Sequence, residues 1–220
     1  LSISSSDTGE ATATSSLTFT TANWNSPKTV TITGVDDDII DGTQNSTITV
    51  SIIDGISDDA FDSVADQTVS VTTADDDVAG FTVTETEGST GVSESGSTDL
   101  FAIVLNTQPS SDVVLSITSS DTGEATVDSL IQFTTANWDT PQNVTVTGVD
   151  DGIIDGTQTS TITITVVDAI TDDDFDGVAD QTVSVTTADD DVAGFTIAET
   201  DGSTGVDESG NTDTFTVVLN

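Results

Sequence analysis

Residues Asn143–Asp155 read Asn-Val-Thr-Val-Thr-Gly-Val-Asp-Asp-Gly-Ile-Ile-Asp, an alternating segment followed by an acidic one. Val144 and Val146 alternate with Asn143, Thr145 and Thr147, the period of two that puts apolar side chains on one face of a β-strand. The strand ends at Gly148, and the loop after it carries Asp150, Asp151 and Asp155. The same alternation returns at Ile162, Ile164 and Val166 in Thr161–Val167, and at Val183 and Val185 in Thr182–Thr186. Thr fills most intervening positions, where its branched Cβ suits the wet face of a pleated strand. No segment carries a helical period.

Moving outward, the chain repeats itself at a spacing of 114 residues without a gap. Asp7–Thr12 recurs as Asp121–Thr126, Phe19–Trp24 as Phe133–Trp138, and Val64–Phe81 unchanged as Val178–Phe195. Of 106 superposable positions 77 are identical, so the repeating unit is a whole domain rather than a solenoid rung. Placing the boundary after the Asp-Asp-Asp run makes residues 79–192 one complete module. Residues 1–78 are then the C-terminal part of a preceding module and 193–220 the N-terminal strands of the next. Two readings fit these flanking pieces: an excerpt of a longer tandem array, or completion of one chain by the tail of another through strand donation.

In the complete module seven strands are expected, at Phe81–Glu85, Asp99–Leu105, Val113–Thr118, Leu130–Thr134, Asn143–Gly148, Ser160–Val167 and Thr182–Thr187. Phe101–Leu105 is apolar on both faces, as a central strand can be. Seven short strands in such a length point to an all-β, immunoglobulin-like antiparallel sandwich. Phe81, Phe101, Phe133 and Trp138 are its expected large core residues.

Composition narrows the function. The 220 residues hold 40 Asp and Glu against one basic residue, Lys28, for a formal net charge of −39. Such charge with few aromatics resembles disorder, but a disordered acidic tail would not keep period two. Without His, Cys or Tyr the chain lacks the usual general base, thiol nucleophile and zinc ligands, so no enzyme is expected. One Lys cannot hold a phosphate backbone, which excludes nucleic acid as a partner. Apolar runs of about four residues are too short for membrane insertion.

The acid gathers at strand ends. In the complete module it lies at Glu94, at Asp150, Asp151 and Asp155, and at Asp189, Asp190 and Asp191. In an antiparallel sandwich these three loops can share one pole, and that much like charge in one place calls for cations. Ca2+ suits them best, because it takes six to eight oxygens in flexible geometry, whereas Mg2+ demands a strict octahedron. The competing reading is a solvated acidic surface, which would spread acid along strand faces instead.

Strand, Val-Asp-Asp-(Asp/Gly)-Ile-Ile-Asp, and a closing strand ending in Asp-Asp-Asp-Val-Ala-Gly-Phe together resemble the Calx-beta domain, found in sodium–calcium exchangers and in tandem in large bacterial surface adhesins. The resemblance covers residues 79–192 and, through the repeat, the flanking pieces. It implies a seven-stranded sandwich binding several Ca2+ ions at the pole next to the following domain. The implied ligands are Glu94, Asp150, Asp151, Asp155, Asp189, Asp190 and Asp191. In the preceding copy they are Asp36, Asp37, Asp41, Asp75, Asp76 and Asp77, and in the following one Glu208. The exchanger-type loop carries further acids where Gly156, Thr157 and Gln158 stand here, and its tyrosine-containing acidic motif has no counterpart. Fewer or weaker ions than in the sensor members are therefore expected.

Two further motifs read as loops. Asp7-Thr8-Gly9 and Asp121-Thr122-Gly123 spell an aspartic-protease signature, but each sits between Ser-Ser and Glu, the setting of a polar turn. Asp172-Asp173-Asp174-Phe175-Asp176-Gly177 mimics an EF-hand start, yet Val183 stands where the bidentate Glu belongs. The expected function is a Ca2+-rigidified structural spacer of a large bacterial cell-surface or secreted protein, such as an adhesin or surface filament. Its expected partners are neighbouring identical modules, and no small-molecule substrate is expected. A regulatory Ca2+ sensor is the second reading and a carbohydrate-binding module the third.

Overall fold

The computed structural model describes residues 1–219, and all its regular structure is β apart from single 3-10 turns. In chain order the strands are β1 (Ser2–Ser5), β2 (Ala11–Ala13), β3 (Ile32–Gly34), β4 (Gln44–Ser51) and β5 (Gln67–Thr73). Next come β6 (Phe81–Glu85), β7 (Thr90–Ser93), β8 (Thr98–Leu105), β9 (Val113–Ser119), β10 (Ala125–Val127) and β11 (Leu130–Phe133). The last five are β12 (Gln142–Gly148), β13 (Gln158–Val166), β14 (Gln181–Ala188), β15 (Phe195–Glu199) and β16 (Phe215–Leu219).

Strands β6 to β14 build one two-sheet sandwich. A four-stranded sheet runs β10-β12-β8-β6, and a five-stranded sheet runs β11-β9-β13-β14-β7. Every pairing is antiparallel except β14 with β7. Strands β6 and β7 are halves of one edge segment that changes sheets at Thr86–Gly88, where Glu87 takes a left-handed conformation (φ 56°). The all-β sandwich read from the sequence is therefore the fold. All seven expected strands are present within two residues at either end, and two short ones, β7 and β10, join them.

The alternating pattern does what its period dictates. Along β14, Val183, Val185 and Thr187 point inward while the residues between them are exposed. Phe81, Phe101, Ile103, Leu115, Phe133, Val144, Val146, Ile162 and Ile164 belong to one buried cluster, with Trp138 half-buried against it. Phe175, from the Asp172–Gly177 loop, is fully buried there as well. Strand β8 is internal, between β12 and β6; its Phe101, Ile103 and Leu105 are buried in the core, while Ala102 and Val104 are half-buried on the opposite face.

The flanking stretches form smaller sheets: β1-β4-β5, β2-β3 and the hairpin β15-β16. In residues 1–78 no strands among the described residues cover the face that β6 and β8 cover in the sandwich, so Phe19 and Phe61 are exposed where Phe133 and Phe175 are buried.

Candidate metal centre

Four segments far apart in sequence arrive at one pole. Strands β7 and β14 run parallel with Ser93 opposite Ala188, so both chains leave the sheet side by side. The Glu94 N–H donates to the Ala188 carbonyl at 3.1 Å, which sets Glu94 beside Asp189. Strand β12 ends at the same pole, and its Gly148 passes so close to β7 that a Cβ there would lie 2.1 Å from the Ser93 carbonyl oxygen. Only glycine permits that approach. Beyond Gly148, the Val149 N–H donates to the Glu124 carbonyl at 2.9 Å, which brings in the turn before β10.

Carboxylate oxygens of Glu94, Asp189 and Asp191 lie within 4.8 Å of one another. Glu94 is 1% exposed, and neither of its oxygens has a hydrogen-bond partner. Asp191 Oδ2 and Glu124 Oε2 are buried without a partner too. Asp189 is held differently: its Oδ2 accepts from the Gly156 N–H at 2.7 Å and its Oδ1 from the Asp191 N–H at 2.7 Å. The Gly156 N–H is free to point there because Gly156 closes the acidic loop at φ 75°.

The electrostatics follow from that geometry. Burial pushes the Glu94 carboxyl above its ordinary value, and the charges of Asp189, Asp151 and Glu124 push the same way; the Asp190 N–H offsets part of this without closing a hydrogen bond. Asp191 is raised by burial and by Asp189, Asp150, Asp190 and Asp151. Glu124 is raised by burial and by Asp155, Asp121, Asp151 and Asp189. Asp189 goes the other way, lowered by the Gly156 and Asp191 N–H groups. A buried carboxylate without a donor is costly, and three together need a counter-charge. The chain's one basic side chain, Lys28, sits 5.5 Å above the Phe19 ring instead. An oxygen-only set of anions around shared space fits a hard divalent cation.

The structure thus brings Glu94, Asp189 and Asp191 together. Asp150, Asp151, Asp155 and Asp190 stay exposed around them. In the preceding copy Asp36, Asp37, Asp41, Asp75, Asp76 and Asp77 line a single cleft with Glu10. Asp75 Oδ2 there accepts from the Gly42 and Asp41 N–H groups at 2.7 and 3.1 Å, repeating the role of Asp189. Burial and neighbouring Asp charges raise Asp77 and Glu10, the counterparts of Asp191 and Glu124. Glu208 is exposed between β15 and β16 and joins no such cluster among the described residues.

Glu124 is the residue that sequence reasoning missed, because it ends the Asp121-Thr122-Gly123 turn. That turn is the polar one expected: Asp121 Oδ1 accepts from the Gly123 N–H at 3.0 Å. The available signal was the retention of Glu before Ala in both copies, as Glu10 and Glu124. The EF-hand mimic is also a loop, in which Asp172 is 3% exposed and caps a 3-10 turn by accepting from the Asp174 N–H at 3.1 Å.

No family model and no curated protein matches the chain. Among solved structures it is similar to an apo-form Calx CBD1 domain at 14% identity and TM-score 0.37, covering 50% of this chain and 98% of that one. It is similar to domains 1-6 of the surface layer protein SbsC at 19% identity and TM-score 0.39, covering 83% of this chain and 22% of that one. The E. coli chaperone DraB aligns at 7% identity and TM-score 0.37, covering 54% of this chain and 59% of that one. At such low identity and TM-score these likenesses carry no weight beside the geometry of the pole itself.

Proposed function

We propose that the chain is a Ca2+-binding structural repeat, a spacer in a large bacterial cell-surface or secreted protein of the adhesin or surface-filament kind. One observation carries the metal reading: Glu94 is buried with both carboxylate oxygens unpartnered, next to Asp189 and Asp191. Glu94, Asp189 and Asp191 would hold the ion, with Glu124 and the exposed Asp150, Asp151 and Asp155 within reach of further ions. Bound Ca2+ would supply the positive charge that the protein lacks. Asp189 keeps the Gly156 turn in place, and Gly148 keeps Glu94 over the loop, so the pole is preorganised for oxygen coordination.

A spacer reading follows from near-identical copies, which give every joint the same geometry. Millimolar extracellular Ca2+ would fill even sites of ~10⁻⁴–10⁻³ M. The partner of each module is then its neighbour. The open face of residues 1–78 and the exposed apolar residues Phe195, Ile197, Phe215, Val217 and Leu219 of the β15-β16 hairpin match the two surfaces that β6 and β8 bring together in the sandwich. A hairpin of that sequence, from the same polypeptide or from a second copy, is the occupant they call for.

A calcium-titrated thermal melt tests the metal reading. At 100 times Kd one site stabilises by about 2.7 kcal/mol, on the order of 10 °C in Tm for a domain this size. Glu94→Gln should remove most of that rise and raise the melting temperature in chelator, since it deletes the orphaned charge. Equal melting temperatures of the unsubstituted chain in chelator and in millimolar Ca2+ would sink the proposal. Calorimetry in the same titration separates spacer from sensor, because sub-micromolar sites belong to a sensor.

A further inference from the structure

The acidic loop of the first copy does more than gather carboxylates: its backbone reaches the second copy. Ile39 and Gln108 form a parallel β-bridge, and the Gln108 N–H donates to the Asp38 carbonyl at 2.7 Å. Alongside this bridge, Ile40 and Val78 of the first copy share a cleft with Gly177 and Val178 of the second. We infer that the turn Thr107–Ser111 is the socket by which a module receives the Val-Asp-Asp-x-Ile-Ile loop of the module before it.

The turn is built to stay in place. Thr107 and Pro109 are buried, and the Gln108 side chain donates from Nε2 to the Thr135 carbonyl at 2.9 Å. Asp172, itself 3% exposed, fastens the following residues. Its Oδ2 accepts from Ser110 Oγ at 2.7 Å, from the Ser111 N–H at 2.6 Å and from Ser111 Oγ at 3.2 Å. The Asp172 N–H donates to the Asp112 carbonyl at 3.0 Å, which ties the two loops a second time. Asp172 is therefore a positioning residue of the joint and not a metal ligand.

The other half of the contact is equally constrained. Asp37 Oδ1 accepts from the Ile39 N–H at 2.9 Å, while Asp75 grips the loop at Asp41 and Gly42. Because Asp38 contributes its backbone carbonyl, the change from Asp38 to Gly152 in the second copy keeps an identical backbone acceptor at the matching position. The recognised partner is thus a copy of this chain's own loop, read through the backbone, and the contact exists whether or not the carboxylates hold an ion.

Amide exchange followed by NMR on the 220-residue chain tests this, in saturating Ca2+ and again in chelator. The Gln108 N–H should exchange at least about tenfold more slowly than a free peptide. Asp172→Asn should abolish that protection while leaving the Ile162 N–H, deep in the sandwich, protected. If Asp172→Asn does not fold, Gln108→Ala, which keeps the N–H but loses the Thr135 anchor, serves instead and should speed exchange at position 108. Free-peptide exchange at Gln108 in both solutions, or protection untouched by either variant, overturns the socket. Calcium uptake measured by calorimetry on the same sample judges the metal reading separately, so either can fail alone.

Discussion

The two copies of the repeat have nearly the same residues and very different interiors. Phe133 is fully buried and its counterpart Phe19 is 40% exposed; Phe175 is fully buried and Phe61 is 55% exposed. Val183 is 1% exposed and Val69 53%. Yet Ile48 and Ile162, at matching places in β4 and β13, are both buried. The difference maps onto one cause: β6 and β8 lie over the second copy, and no strands among the described residues lie over the same face of the first. Side-chain identity determines which face of a strand is apolar, and the opposing sheet determines whether that face leaves water.

Matched substitutions in the two copies test this difference. Phe133→Ala should cost about 3–5 kcal/mol in a denaturant melt of the full chain, and Phe19→Ala about 1 kcal/mol or less. Equal losses would mean that the open face of residues 1–78 is covered in solution, as strand donation requires. Next in size is a glycine pair. A Cβ at Gly148 would strike the Ser93 carbonyl at 2.1 Å, whereas at Gly34 it would meet only Thr73 Cγ2 at 3.9 Å. Gly148→Ala should cost about 1–3 kcal/mol and weaken Ca2+ binding by moving Glu94, and Gly34→Ala should do neither. Unchanged Ca2+ binding in Gly148→Ala would show that the site does not depend on the β7–β12 approach.

The smallest effect is in pH. Glu94 and Glu124 lie above their ordinary value of 4.5 in the folded chain, so the folded state takes up protons before the unfolded state does. In chelator the melting temperature should therefore rise as pH falls from 7 through those raised values. Asp189, Asp75 and Asp172 lie below their ordinary 3.8, and their contribution is lost as pH falls through their lowered values. The metal-free chain should be most stable at a pH below the raised values of Glu94 and Glu124 and above the lowered values of Asp189, Asp75 and Asp172. In Ca2+ the slope above that window should reverse, because protons compete for the same oxygens. A pH-independent melt in chelator would mean that the carboxylates are not desolvated.

Much of the fold was legible because most strands declare their faces by alternating apolar and polar residues. Strands β7 and β10 escaped because they carry little apolar signal: β7 buries Thr90 and Val92 around Gly91, and β10 buries only Ala125. Asp172 was read as part of an acidic loop because one acidic residue looks like another in a row; its hydrogen bonds to Ser110 and Ser111 close across about sixty residues of chain.

The repeat, the apolar faces and the gathering of acid at strand ends are all written in the order of residues, since each is a matter of spacing along the chain. Which carboxylates lose their solvent depends instead on how the strands pack. Glu94, Glu124 and Asp191 come from three distant segments, and their loss of solvent arises when β7, β10, β12 and β14 end at the same pole. Desolvation is a property of what surrounds a group in space, and no neighbour in sequence reveals it.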